Sequence, residues 1–129
     1  MNWTSGDPLP NAENAEIDPR KFVEYSMSPD NPNNQGKWIA FEALGYPLHP
    51  KEDRTIAAQM IIEQLKQAIL TAPATSGKLN SHGQRFTVSI NLQGLNQRQG
   101  QLVCVWQIDH NRDVPRLITT WLEVYQDPA

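Results

Sequence analysis

The stretch "SHGQRFTVSINLQG", residues 81–94, decides the fold class. From Phe86 onward its residues alternate strictly, with Phe86, Val88, Ile90 and Leu92 on one side and Thr87, Ser89 and Asn91 on the other. A period of two with a single apolar face marks a half-buried β-strand. The polar opening places His82 and Arg85 three apart at the strand's entry. That pair reads either as a working site at the mouth of a strand or as the wet end of a hairpin.

The pattern continues forward from there. "QGLNQRQG", residues 93–100, is too polar to be buried and forms a turn. "QLVCVWQID", residues 101–109, puts Leu102, Cys104, Trp106 and Ile108 on one face and Val103 and Val105 on the other, which suits a central strand. After the turn "HNRDVP", residues 110–115, a third strand "RLITTWLEV" sets Ile118, Thr120, Leu122 and Val124 opposite Leu117, Thr119 and Trp121. The expected meander therefore has at least three strands, at about 84–92, 101–109 and 116–124.

Backward from residue 81 the period changes. "TAPATSGKLNSHG", residues 71–83, is small and polar and reads as a hinge. Before it, "KEDRTIAAQMIIEQLKQAIL", residues 51–70, is the clearest helix: Ile56, Met60, Ile61, Leu65, Ala68 and Ile69 are assigned to one apolar stripe, acids fill the first turn, and Pro73 bars continuation. "KWIAFEALGY" spaces Trp38, Phe41 and Leu44 three apart before Gly45 and forms a shorter helix. "SPDNPNNQG" is a loop, and Asp18 before Pro19 caps a short helix to about Met27. Residues 1–16 read as an extended lead-in arm, and residues 17–126 as a single domain. Helices followed by an antiparallel meander make an α+β fold with the helices on one sheet face.

Composition narrows the function classes. The chain has 129 residues, 39% of them hydrophobic, with four tryptophans, enough for one core. A single cysteine, Cys104, excludes an internal disulfide or a cysteine-rich zinc site and points to a cytoplasmic setting. No apolar run approaches the roughly 20 residues of a membrane helix, and the acidic N-terminus is no signal peptide, so no membrane partner is expected. His49, His82 and His110 share no ligand spacing, and the glycines form no phosphate loop; neither a metal nor a cofactor is expected. Cys104, mid-strand, reads as a small buried hydrophobe.

The net charge of -3 gives no overall attraction for nucleic acid, yet residues 77–116 carry Lys78, Arg85, Arg98, Arg112 and Arg116 against only Asp109 and Asp113. These are either scattered charges on a solvated sheet face or an anion site. Metal-free RNA cleavage needs a base, an acid and fixed cations, and Lys78, His82, Arg85, Arg116 and Thr119, with Lys37 from the second helix, supply those types.

Four blocks, "LPNAENAEI" (9–17), "SPDNPNNQGKWIAFEALGY" (28–46), "HGQRFTVSINLQG" (82–94) and "DVPRLITTWLE" (113–123), together resemble an uncharacterised bacterial domain family, found freestanding and at the C-termini of polymorphic toxins. That resemblance implies a fold similar to the metal-independent ribonuclease domains of the barnase, EndoU, colicin and RelE-like group. It implies roles by position: Arg85 and Arg116 binding phosphate, Thr119 orienting it, Lys37 as acid or charge stabiliser and His82 as base, with RNA and a cognate inhibitor protein as partners. Asn31-Pro32 stands where members commonly have His-Pro, and "TTWLE" replaces the usual end of the last strand. Those departures favour a resident or degenerate relative, and the rival expectation is a non-catalytic domain that binds a protein through its sheet face or amphipathic helix.

Overall fold

A computed structural model describes residues 3–125. Its architecture is α+β: helices α1 (Trp38–Ala43) and α2 (Lys51–Ala68) precede strands β1 (Ala74–Asn80), β2 (Gly83–Gln93), β3 (Gln99–Asp109) and β4 (Arg116–Val124). The strands form one antiparallel meander in the order β1-β2-β3-β4. β2 and β3 pair without interruption from Gly83 opposite Asp109 to Gln93 opposite Gln99.

β1 occupies part of the segment expected to be a hinge. Its "ATSGKLN" buries only Ala74 fully, so no alternation of apolar residues announces it. Backbone pairing to β2 alone makes it a strand, with an irregularity between Ser76 and Leu79. An edge strand with little to bury has no reason to display the two-residue period.

The core lies between the sheet and α2. Phe86, Val88, Ile90 and Leu92 from β2 and Leu102, Cys104, Trp106 and Ile108 from β3 are buried there, as the alternation predicts. From α2 come Ala57, Ala58, Ile61, Ile62, Leu65 and Ile69. Full burial of each large aliphatic side chain contributes about 1.5–3 kcal/mol. Two expected members of the helix stripe are not in the core: Ile56 is 63% exposed and Met60 40%. Ile56 is nine residues from Leu65, about two and a half turns at 3.6 residues per turn, so the two point in opposite directions. The small Ala57 and Ala58 and the buried Arg54 take their place. The Arg54 guanidinium donates from Nε to the Val23 carbonyl at 2.9 Å and from Nη1 to the Leu48 carbonyl at 3.0 Å.

The segment expected to be a lead-in arm packs on this body. Leu9 and Ala12 are buried in the core, and the Trp3 ring meets Phe86 edge-on at 5.0 Å between centroids. Backbone bonds tie the arm to both edges of the sheet: Ala74 N donates to the Asp7 carbonyl, and Leu117 N donates to the Glu16 carbonyl, each at 2.9 Å.

Lys21–Ser26 forms a single π-helical turn, opened by the Asp18 side chain, which accepts from Arg20 N at 3.0 Å. This turn and α1 both pack against β4. On β4 the expected alternation fails at its start. Thr119 pairs with Val105 and Leu117 with Trp106, so Ile118 is an extra, bulged residue. The bulge turns Leu117 inward, where it is 3% exposed on the same face as Thr120 and Leu122. Burying Leu117 beside Trp106 outweighs the lost pairing of one residue.

Candidate functional site

The face of the sheet opposite the core carries three successive, mainly polar cross-strand rows. The first row is Gly83 and Asp109; the second is Arg85, Gln107 and Arg116; the third is Thr87, Val105 and Thr119. Residues two apart on a strand are separated by about 7 Å, so the outer rows are about 14 Å apart. Arg116 and Thr119 share this face only because Ile118 bulges out between them.

The middle row is connected internally. Arg85 Nε donates to Gln107 Oε1 at 3.2 Å, and Gln107 is 2% exposed despite lying on the solvent-facing side. Its Nε2 is buried and has no hydrogen-bond partner. Arg116 leans to the first row, donating from Nε to Asp109 Oδ2 at 2.9 Å. That hydrogen bond holds the Asp109 carboxyl below the usual carboxylate range, and reciprocally raises the Arg116 guanidinium.

The third row receives Lys37 from outside the sheet. Its ammonium donates to Thr119 Oγ1 at 3.3 Å and lies 5.1 Å from the centre of the Tyr25 ring. Burial lowers the Lys37 pKa from the ordinary lysine value, because an ammonium shielded from water is less stable in its charged form. The loop "SPDNPNNQG" aims this lysine. The buried Asn34 donates to the Tyr25 and Ser28 carbonyls at 2.8 and 2.6 Å and accepts from Gly36 N at 3.0 Å. Asn31 accepts from Asn33 N at 2.9 Å and donates through its amide to the Glu24 carbonyl at 2.9 Å. Here that residue builds the loop.

His82 sits in the β1–β2 turn beside the first row. The Asn80 side chain accepts from His82 N and Gly83 N at 2.8 and 3.0 Å, and His110 N donates to the His82 carbonyl at 2.9 Å, locking the two turns together. The His82 side chain is exposed and lines a hollow with Asp109, His110 and Arg112. Gly83 has φ +148°, and a Cβ there would lie 2.0 Å from the Ile108 carbonyl oxygen, so only glycine fits. Lys78 is exposed in the irregular part of β1, level with Arg85.

The structure thus brings Lys37 to Thr119, and sets Arg85 and Arg116 on either side of Gln107. It leaves His82 at the opposite end of the three rows from Lys37. Gln107 and Tyr25 escaped the sequence reading. The lone amide in the apolar run "LVCVWQID" is the signal for Gln107; Tyr25 left none. Among the described residues no three His, Cys, Asp or Glu side chains converge to hold a metal ion, and no helix is long and apolar enough to cross a membrane.

Fold and site together define a small α+β protein with a cation-bearing open sheet face. The chain belongs to the family described as Domain of unknown function (DUF6883), which matches residues 8–124. No curated protein and no solved structure matches it.

Proposed function

We propose that the open sheet face binds the phosphodiester backbone of RNA and cleaves it without a metal ion, as a toxin-like ribonuclease. The order of the three rows carries this reading: a phosphate over Arg85 and Arg116 has His82, in the turn beyond the first row, on one side, and Lys37 with Thr119, one row or about 7 Å along the strands, on the other. The guanidinium groups hold the phosphate charge and Thr119 orients it. His82 takes the 2′-hydroxyl proton as that oxygen attacks phosphorus. The bond to the 5′-oxygen breaks, and Lys37 gives its proton to the departing oxygen. The products are a 2′,3′-cyclic phosphate and a 5′-hydroxyl. Lys78 adds positive charge beyond Arg85. The resemblance to an uncharacterised domain family found at the C-termini of polymorphic toxins, which implies a ribonuclease-like fold, supports the same reading. On this reading the protein acts on RNA in the cytoplasm, and its partner is a cognate inhibitor protein that protects the cell making it.

The test is cleavage of total cellular RNA in excess chelator by the wild type, beside Arg85→Ala/Arg116→Ala, His82→Ala and Lys37→Ala variants verified as folded by circular dichroism. Cleavage that disappears in the folded double variant is the expected result. A folded wild type that cuts no RNA tried sinks the proposal.

One observation favours a second reading, a non-catalytic protein-binding domain: Ile56 and Met60 stand exposed one turn apart on the outer face of α2. In that case Ile56→Gln/Met60→Gln abolishes partner capture and leaves RNA retention unaltered.

A further inference from the structure

Between the π-helical turn Lys21–Ser26 and β4 lies a cleft of about 670 Å³, lined by Lys21, Tyr25, Ile118 and Thr119 together with Asp18, Arg20 and Glu24. Its size falls within the range of small-molecule sites, about 300–1,000 Å³. The two acids on its wall are already engaged: Asp18 is held by Arg20 at 2.8 Å and Glu24 by Lys51 at 2.7 Å. Lys21 has no ion-pair partner among the described residues, and Lys37 reaches the cleft's edge through Thr119 and the Tyr25 ring with no carboxylate beside it. Two lysines outside any direct ion pair therefore bracket an aromatic and aliphatic wall, and the nearby Asp18 keeps its direct pair with Arg20. The Tyr25 ring is fixed, since its hydroxyl donates to the Asn33 carbonyl at 3.0 Å. The bulge that turns Leu117 inward leaves Ile118 as the cleft's apolar floor.

We propose that this cleft is a nucleotide subsite: a base lies against Ile118 and the edge of Tyr25, and its phosphate is held by Lys21 and Lys37. The proposal rests on the RNA reading above and extends it, because Thr119 belongs to both the cleft and the third row. A strand crossing the sheet over Arg116 and Arg85 enters the cleft with the nucleotide next to the bond that is cut. A flat ring in a half-apolar slot with cations at its rim is the arrangement by which single-stranded nucleic acid is bound without reading long sequences.

The experiment is titration of the full chain with each of the four nucleoside 3′-monophosphates, the matching nucleosides and inorganic phosphate, followed by amide chemical shifts, with RNA cleavage measured on the same preparations. The nucleotides are expected to move the Tyr25, Ile118 and Thr119 signals, and phosphate alone to leave Ile118, which only the base contacts, unmoved. Lys21→Ala is expected to weaken the nucleotide about ten-fold, the loss of one hydrogen bond to a charged group. Tyr25→Leu, paired with a melting curve, should weaken nucleotides and leave phosphate binding at Arg85 and Arg116 unaltered. Shifts confined to Arg85 and Arg116, or nucleotides binding no better than phosphate, overturn the cleft proposal. A protein that cuts RNA without those shifts overturns the cleft alone; one that binds nucleotides there and cuts nothing upholds the cleft and overturns the cleavage reading.

Discussion

Arg116 and Thr119 stand three apart on β4 and still share the open face of the sheet, Arg116 level with Gln107 and Thr119 level with Val105. In a regular strand, side chains three apart point to opposite faces. The bulge at Ile118 thus assembles the cation row and the Lys37–Thr119 pair on one surface, and hands Leu117 to the core.

Asp109 competes with any anion for Arg116. Asp109→Asn removes that competitor and is expected to tighten RNA retention and to steepen its salt dependence by about one unit of log–log slope, the increment for one more phosphate contact. Retention on an RNA column at several salt concentrations measures it. Unchanged or weaker retention would show that Arg116 serves only the turn.

The same pair fixes a pH dependence. The Asp109 carboxyl is lowered from its model-compound value of 3.8 by the Arg116 hydrogen bond. Its contribution to stability is therefore complete above about pH 4 and is lost as pH falls through the lower folded-state value. Urea midpoints from pH 6 down to pH 2 should fall less steeply at the acid end in Asp109→Asn than in the wild type.

Lys37 acts with the opposite sign. Its folded pKa lies below the ordinary 10.5, so between those two values the unfolded chain binds more protons and stability rises with pH. A titration of the lysine side-chain signals should find Lys37 losing its proton below the ordinary lysine value.

Gly83 is the residue of "SHGQRF" whose identity the fold requires most directly. Gly83→Ala drives a Cβ into the Ile108 carbonyl at a positive φ and is expected to cost about 3 kcal/mol or more, the range of backbone strain combined with a steric clash. His82→Ala, by contrast, keeps the turn, because the Asn80 side chain bonds the backbone nitrogens of His82 and Gly83. Equal melting temperatures for Gly83→Ala and the wild type would contradict the close approach.

On α2 the exposed pair Ile56→Gln/Met60→Gln is expected to change stability by less than about 0.5 kcal/mol per site. Ile61→Ala should cost about 2–5 kcal/mol, since Ile61 is fully buried. Denaturant midpoints of the two variants separate the helix's true buried face from the stripe that the sequence suggests.

The sequence by itself determined the meander and the long helix. The alternation at 86–92 and 102–108 and the helical run at 51–70 are local consequences of burying one face, and local periodicity records them directly. It also displayed the residue types of the candidate site: Lys37, Lys78, His82, Arg85, Arg116 and Thr119. Tertiary structure alone decided how these sit together. β1 is a strand through its pairing with β2, because its own residues bury almost nothing. The rotation of α2 was settled by Ala57, Ala58 and the bonds of Arg54 to two carbonyls, and no count of apolar residues contains that information. The shared face of Arg116 and Thr119 comes from one bulged residue, and Lys37 reaches Thr119 through a loop held by Asn31 and Asn34. Such contacts join positions as much as 82 residues apart. Their energies depend on the packed whole, so a reading confined to neighbours along the chain does not reach them.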